Sequence, residues 1–159
     1  MILFGLILTL VMLAYATHTK GGLPNSLSEI VFLHDKNIWQ GVWALWLTTV
    51  SFCVAIPTIS MLVGIWKLLG VFMMACLLFT SALPLTLGNI TELHNYLAIV
   101  SGVLSQVIVA VLNPWFFLLW VLFVYYLSSE IGEEVYGKEL LFAEMICFLS
   151  ISLAVMFPL

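Results

Sequence analysis

The sequence predicts an all-α integral membrane protein, a six-transmembrane-helix bundle with short loops. Of its 159 residues, 64% are hydrophobic and 8% are charged, and the mean hydropathy is +1.24. A soluble domain has about 45–50% apolar and about 25% charged residues, so lipid is the solvent that fits this composition. A β-barrel would need strict alternation of apolar and polar residues, which the chain lacks. The spans are therefore predicted to be helices.

The apolar runs divide the chain into six predicted spans. A transmembrane helix needs about 20 apolar residues, with roughly 17 to 25 tolerated. By this measure residues 1–159 form a single polytopic domain, with spans at about 1–17, 38–57, 68–87, 95–112, 115–127 and 140–159. Asn113 and Pro114 predict a tight turn between the fourth and fifth spans, because proline disfavours helix at the residue before it.

The first span has a second interpretation, as a cleaved signal peptide. Ala14, Tyr15 and Ala16 form the small-residue pattern that can precede a cleavage site. No lysine or arginine precedes the apolar run, however, and signal peptides carry positive charge there. A retained helix is the favoured prediction.

The charged residues are distributed unevenly across the predicted membrane. With six antiparallel spans, the connections after the first, third and fifth spans share one side. Those connections and the start of the sixth span contain every acidic side chain: Glu29, Asp35, Glu92, Glu130, Glu133, Glu134, Glu139 and Glu144. The same side receives all three histidines and three of the four lysines, leaving Lys67 on the other side with both termini. The sequence thus predicts an acidic, histidine-bearing face.

The first connection carries a resemblance to a known group of proteins. Leu23-Pro24-Asn25-Ser26-Leu27-Ser28 is followed by Ile30, Val31 and Phe32 after a first span, and His94 opens a later span. This pattern resembles the Frag1/DRAM/Sfk1 group and related uncharacterised bacterial six-span proteins, in which a Pro-x-Ser-x-Ser-like segment occupies a non-cytoplasmic first loop. Asn25 and Leu27 depart from the acidic residue and isoleucine that are more usual there.

The resemblance covers the span pattern of the whole chain, and it implies both a location and a role. It implies a cytoplasmic amino terminus and a non-enzymatic function. With six spans the carboxyl terminus lies on the same side, and the predicted location is a bacterial inner (plasma) membrane. The lysine count alone, three against one, would instead place the acidic face in the cytoplasm by the positive-inside rule. The two orientations remain alternatives.

Five residues are candidates for ligand binding. His34 with Asp35, and Glu92 with His94, combine imidazole and carboxylate groups that can ligate a cation or relay a proton. The alternative is that they are solvated or capping residues at helix ends.

Glu144 is the fifth candidate, because an ionisable group inside a span costs about 2–3 kcal/mol near the bilayer centre and should face protein. We predict that it contacts the fourth span, where His94 and Asn95 are its candidate partners. The alternative is a carboxylate near the membrane surface that pairs with Lys138 or with an amide at the start of its own helix.

Nothing in the sequence indicates catalysis. It contains no His-Glu-x-x-His pattern and no nucleophile elbow, so no catalytic residue, metal site or cofactor is predicted. Arginine is absent and lysines number four, which excludes a phosphate-binding surface for nucleic acid. A polar stripe of Ser101, Ser105 and Gln106 on the fourth span predicts hydrogen bonds between helices.

These observations favour a small polytopic membrane protein that is not an enzyme. Its acidic, histidine-bearing face would bind a partner protein, a lipid headgroup or a cation. Besides the lipid bilayer, the expected partners are another membrane protein or further copies of this chain. One alternative is a homo-oligomeric ion channel or transport protein, and another is a metal-dependent, lipid-active membrane hydrolase.

Overall fold

The computed structural model describes residues 1–32, 37–86, 91–128 and 138–159, and within these ranges the chain forms a helical bundle without strands. Two short 3-10 helices, Ser28–Phe32 and Pro114–Phe117, supplement the α-helices. The α-helices are α1 (Ile2–Lys20), α2 (Asn37–Met61), α3 (Gly64–Thr86), α4 (Thr91–Leu112), α5 (Leu118–Ser128) and α6 (Glu139–Met156). The predicted all-α bundle is confirmed.

Five of these helices, all except α5, are long and apolar enough to cross a membrane. This places the chain among helical membrane proteins. The fifth helix is present where the sequence predicts it, but it has 11 residues. Even with the preceding 3-10 turn it is shorter than the about 20 residues that a straight span needs.

The predicted connection at 58–67 is wrong, because the structure joins α2 and α3 by a turn of two residues, Leu62 and Val63. The polar residues that suggested a loop lie in the last turns of α2. The Thr58 hydroxyl donates to the carbonyl of Val54 at 2.7 Å, and the Ser60 hydroxyl donates to that of Pro57, also at 2.7 Å. Hydroxyl groups that bond back to the helix need no water, so they can remain in a membrane helix.

The first connection defines one end of the bundle, which we call the loop end. The carbonyl of Asn25 accepts a hydrogen bond from the backbone N–H of Leu141 at 3.0 Å, near the start of α6. Ser28 contacts His94, near the start of α4, with 2.9 Å between Oγ and Nε2. Helices α4 and α6 therefore both begin at the loop end, where α1 finishes.

The carboxyl terminus lies at the opposite end of the bundle. The side-chain amide of Asn113 donates to the carbonyl of Phe157 at 2.8 Å, and the backbone N–H of Leu159 donates to the carbonyl of Leu112 at 3.0 Å. Ile2 belongs to the same core cluster as Leu112, so α1 begins at this end too. Helix α4 therefore ends here, whereas α6 begins at the loop end.

Helix α5 lies outside the core and is held by a few specific contacts. None of its residues is buried. The indole Nε1 of Trp120 donates to Oε1 of Gln106 in α4 at 2.9 Å, and the Gln106 amide donates to the hydroxyl of Ser150 in α6 at 3.1 Å. The Phe123 ring stacks on Phe142 of α6, with 6.2 Å between centroids. The predicted hydrogen bonds between helices are thus made by Gln106, whereas the hydroxyls of Ser101 and Ser105 donate to carbonyls of α4 itself.

Candidate functional site

The most developed polar site lies at the loop end, where residues 24–28 are bound across the bundle. We call these residues the strap, and the side chains of Trp43, His94 and Glu144 that bind it the clasp. Buried apolar residues flank its polar groups, because Pro24 at its start is fully buried and Ile30, two residues after its end, is 5% exposed. Between these two residues, its polar groups are bound by α2, α4 and α6 and by the nearby Glu29.

Both polar backbone groups of Leu27 are bound by clasp side chains. Its N–H donates to Oε2 of Glu144 at 2.6 Å, and its carbonyl accepts from the indole Nε1 of Trp43 at 3.2 Å. The Asn25 carbonyl is bound by the N–H of Leu141. Unpaired backbone groups are costly where water is scarce, so these bonds allow an irregular segment to lie against a membrane bundle.

His94 holds the strap through its ring, which is buried with a residue exposure of 7%. Its Nδ1 lies 3.1 Å from the carbonyl oxygen of Thr80, and its Nε2 lies 2.9 Å from the hydroxyl of Ser28. A carbonyl can only accept, so Nδ1 carries a proton and donates it. In the neutral ring Nε2 is then an acceptor for the Ser28 hydroxyl. The Trp43 ring packs beside the imidazole, with 5.5 Å between centroids.

Local sequence explains why the Thr80 carbonyl is available. In an α-helix this carbonyl would accept from the N–H of the residue four positions later. That residue is Pro84, which lies inside α3 and has no N–H. The His94 ring supplies the donor that the helix lacks.

A surface ion pair supports the strap from the side of α1. The Lys20 ammonium lies 2.6 Å from Oε1 of Glu29, and Oε2 of Glu29 accepts from the backbone N–H of Asn25. Burial of Glu29 opposes its ionisation, but the hydrogen bond and charge of Lys20 and the bond from Asn25 outweigh that effect. Together they hold the pKa of the Glu29 carboxyl below its ordinary value.

This shift predicts an acid-dependent loosening of the strap. A carboxyl whose pKa is lower in the folded protein stabilises the fold above its unfolded-state pKa, and this contribution is lost as pH falls through the folded-state pKa. We expect the protection of the Asn25 amide, which is its exchange rate relative to the intrinsic rate at the same pH, to fall as Glu29 becomes protonated, measured by hydrogen exchange in detergent below pH 5. In Glu29→Gln this pH dependence should vanish. An unchanged pH dependence in that variant would assign the effect to another group.

The structure brings two of the five predicted site residues together. Glu144 and His94 bind adjacent strap residues, so they meet through Leu27 and Ser28. Within the described residues, Glu144 bonds to Leu27, and His94 bonds to Thr80 and Ser28. In these described ranges the structure shows no direct hydrogen bond between Glu144 and His94. Glu92 is exposed on the first turn of α4, two residues before His94. His34 and Asp35 lie outside the described residues.

Sequence reasoning missed the other half of the site. Trp43 was not among the predicted site residues, but it is 2% exposed and binds the strap. Ser28 and Thr80 carry no pattern that distinguishes them from other polar residues near span ends. Pro84 was a usable signal, because a proline inside an apolar run leaves a carbonyl four residues earlier in need of a donor.

The described residues include no group of three or more histidine, cysteine, aspartate or glutamate side chains that could hold a metal ion. Comparison of the chain with protein-family models, curated proteins and solved structures finds no match. The fold and the clasp therefore define the class, a helical membrane protein with a bound first connection, and a proposal about function must be argued from geometry and charge.

Proposed function

We propose that this protein is a non-enzymatic membrane protein whose acidic loop end binds a positively charged segment of a partner protein. The observation that carries this proposal is that His94 and Glu144 form their hydrogen bonds with the strap. The strap is thereby fixed in one conformation before any partner arrives, which lowers the entropic cost of binding. Around it lie acidic residues that the clasp does not use, among them the exposed Glu92.

The contacts of His94 favour a protein partner over the other ligands that the sequence leaves open. Both ring nitrogens are engaged, one by Thr80 and one by Ser28, so neither is open to a metal ion. An anionic lipid headgroup would be repelled by a face predicted to carry eight carboxylates and three lysines. A basic peptide segment matches this charge and gains association rate from it.

The proposal includes a membrane topology. We place six crossings in a bacterial inner membrane, with both termini in the cytoplasm and the loop end outside. Support comes from the bundle itself, in which α1 begins and α6 finishes at the end opposite the strap. We assign the fifth crossing to the part of the chain between α4 and α6, because α4 ends at one end of the bundle and α6 begins at the other. The resemblance to the Frag1/DRAM/Sfk1 group supplies the orientation.

Thiol labelling tests the topology. In a background without Cys53, Cys76 and Cys147, single cysteines at the exposed positions Asn25 and Glu92 should react with an impermeant reagent in intact cells. A cysteine at Ser60, exposed near the far end of α2, should react only after the membrane is opened. Opposite labelling of Asn25 and Glu92 would contradict the six crossings. Labelling of Ser60 alone in intact cells would reverse the orientation.

Site-specific photo-crosslinking tests the binding role. A photoreactive amino acid at Asn95, exposed near the loop end of α4, should form a crosslink to another protein. The same group at Val103, 59% exposed further along α4, is the matched control and should reach lipid. We expect Glu92→Lys and high salt each to weaken the Asn95 crosslink, since both reduce electrostatic attraction. Crosslinks to lipid alone, or insensitivity to charge and salt, would overturn the proposal.

A further inference from the structure

We propose that Pro84 is the positioning residue of the clasp: it leaves the Thr80 carbonyl for His94, and His94 in turn holds the strap closed through Ser28. Pro84 thus acts on the strap, which precedes it by more than 50 residues, through Thr80 and His94 and not by direct contact. This inference goes beyond the proposed binding role and does not depend on which partner the loop end takes.

The first step of this relay, from Pro84 through Thr80 and His94 to Ser28, is a missing backbone donor in α3. An alanine at position 84 would offer an N–H to the Thr80 carbonyl within the helix. Proline cannot, and in the apolar interior the carbonyl needs another donor. The His94 Nδ1–H group fills this role at 3.1 Å. The missing donor in α3 thereby fixes the position and the tautomer of a side chain on α4.

The second step passes from His94 to the strap. With its proton fixed on Nδ1, the neutral imidazole presents an acceptor at Nε2, and the Ser28 hydroxyl donates to it at 2.9 Å. The other tautomer would carry a proton at Nε2 and would leave the Thr80 carbonyl without a donor. The missing backbone donor therefore selects the tautomer in which the Ser28 hydroxyl donates to Nε2.

The consequence is a mechanical link between α3 and the loop end. A movement of α3 near Thr80 changes the hydrogen bond of His94 and, through it, the hold on Ser28. The strap covers the indole N–H of Trp43 and the carboxylate of Glu144, which bind Leu27 in the closed state. Release of Ser28 weakens the hold on these neighbouring contacts too, because Leu27 and Ser28 are adjacent.

The chain offers a matched control in Pro57, the proline inside α2. It lies 14 residues after Trp43, which corresponds to about 21 Å along the helix axis. Its removal also restores a backbone donor to a membrane helix. Any general effect of replacing a helix proline by alanine is therefore shared by Pro57→Ala and Pro84→Ala, whereas an effect on the clasp is expected from Pro84→Ala alone.

The first measurement reads the histidine itself. In the full-length protein in detergent, nitrogen NMR of His94 should show the Nδ1–H tautomer, with a scalar coupling across the hydrogen bond to the carbonyl carbon of Thr80. Pro84→Ala should remove this coupling and populate the other tautomer, while Pro57→Ala should not. Absence of the coupling in the unmodified protein would overturn the proposal without any need for a variant.

The second measurement reads the strap. A cysteine at Ser26, which is 9% exposed, replaces the three native cysteines as the single thiol. Loss of one hydrogen bond of the strap should raise its labelling rate by about three- to tenfold in Pro84→Ala. Ser28→Ala should raise it similarly, and Pro57→Ala should leave it unchanged. Equal labelling in Pro84→Ala and Pro57→Ala, or no increase in Ser28→Ala, would contradict the relay.

Discussion

Replacing Glu144 with leucine is expected to release the strap and lower the free energy of unfolding by about 1–3 kcal/mol. The Leu27 N–H would lose its acceptor at a depth where water is scarce, and the neighbouring bond from Trp43 would weaken with it. The measurements are unfolding in detergent and labelling of a single cysteine at Ser26. We expect lower stability and faster labelling together, since both report the same bond.

Glu144→Gln is the matched control for this change. Its amide oxygen can still accept from Leu27, and it removes a charge whose burial is itself unfavourable. We therefore expect Glu144→Gln to keep the strap closed with stability near that of the unmodified protein. If glutamine destabilises as much as leucine, the negative charge of Glu144, rather than its role as an acceptor, is what holds the strap.

A double substitution tests whether the clasp acts as one unit. Glu144 and His94 bind adjacent residues of one segment, so release of the strap by either change removes much of what the other could contribute. Combining Glu144→Leu with His94→Ala should cost less than the sum of the single changes, by on the order of 0.5–3 kcal/mol. Additive costs would show that the two side chains hold the strap independently.

The helices were predictable because each is a long apolar run, and membrane insertion depends mainly on that property. The ends of the helices were less predictable where polar side chains form hydrogen bonds with the backbone of their own helix. Thr58 and Ser60 lie in helix α2 although they suggested a loop, because each hydroxyl bonds to a carbonyl of its own helix. A hydropathy pattern treats such a residue as polar, although its hydroxyl group already has a hydrogen-bond partner within the helix.

Two side chains of the site could be predicted from the sequence, but the strap residues that they bind could not. His94 and Glu144 were identifiable because ionisable side chains near the start of a span must face protein or water. Their partners lie 66 and 117 residues away in sequence, on a strap whose path depends on how four helices pack. No local pattern carries that information. Pro84 comes nearest, since the donor it lacks implies that some other group approaches Thr80.

Replacing Gln106 with leucine is expected to detach α5 from the bundle. Gln106 accepts from the Trp120 indole and donates to the hydroxyls of Ser105 and Ser150, so one side chain joins α4, α5 and α6. Hydrogen bonds between membrane helices contribute about 0.6 kcal/mol on average and up to about 1.7 kcal/mol, so we expect a loss of roughly 1–3 kcal/mol in stability. Because α5 has no buried residue, it has little other packing to hold it.

Trp120→Phe separates the two parts of this effect, because it removes the indole N–H but keeps an aromatic ring beside Phe123. We expect Trp120→Phe to speed hydrogen exchange in α5 alone, and Gln106→Leu to speed it in α5 and also where α4 meets Ser150 of α6. If exchange in α5 is unchanged in both variants, ring packing against Phe142 holds this helix and the Gln106 bonds do not. The predicted fifth crossing would then depend on aromatic contacts, and Phe142→Ala should detach it instead.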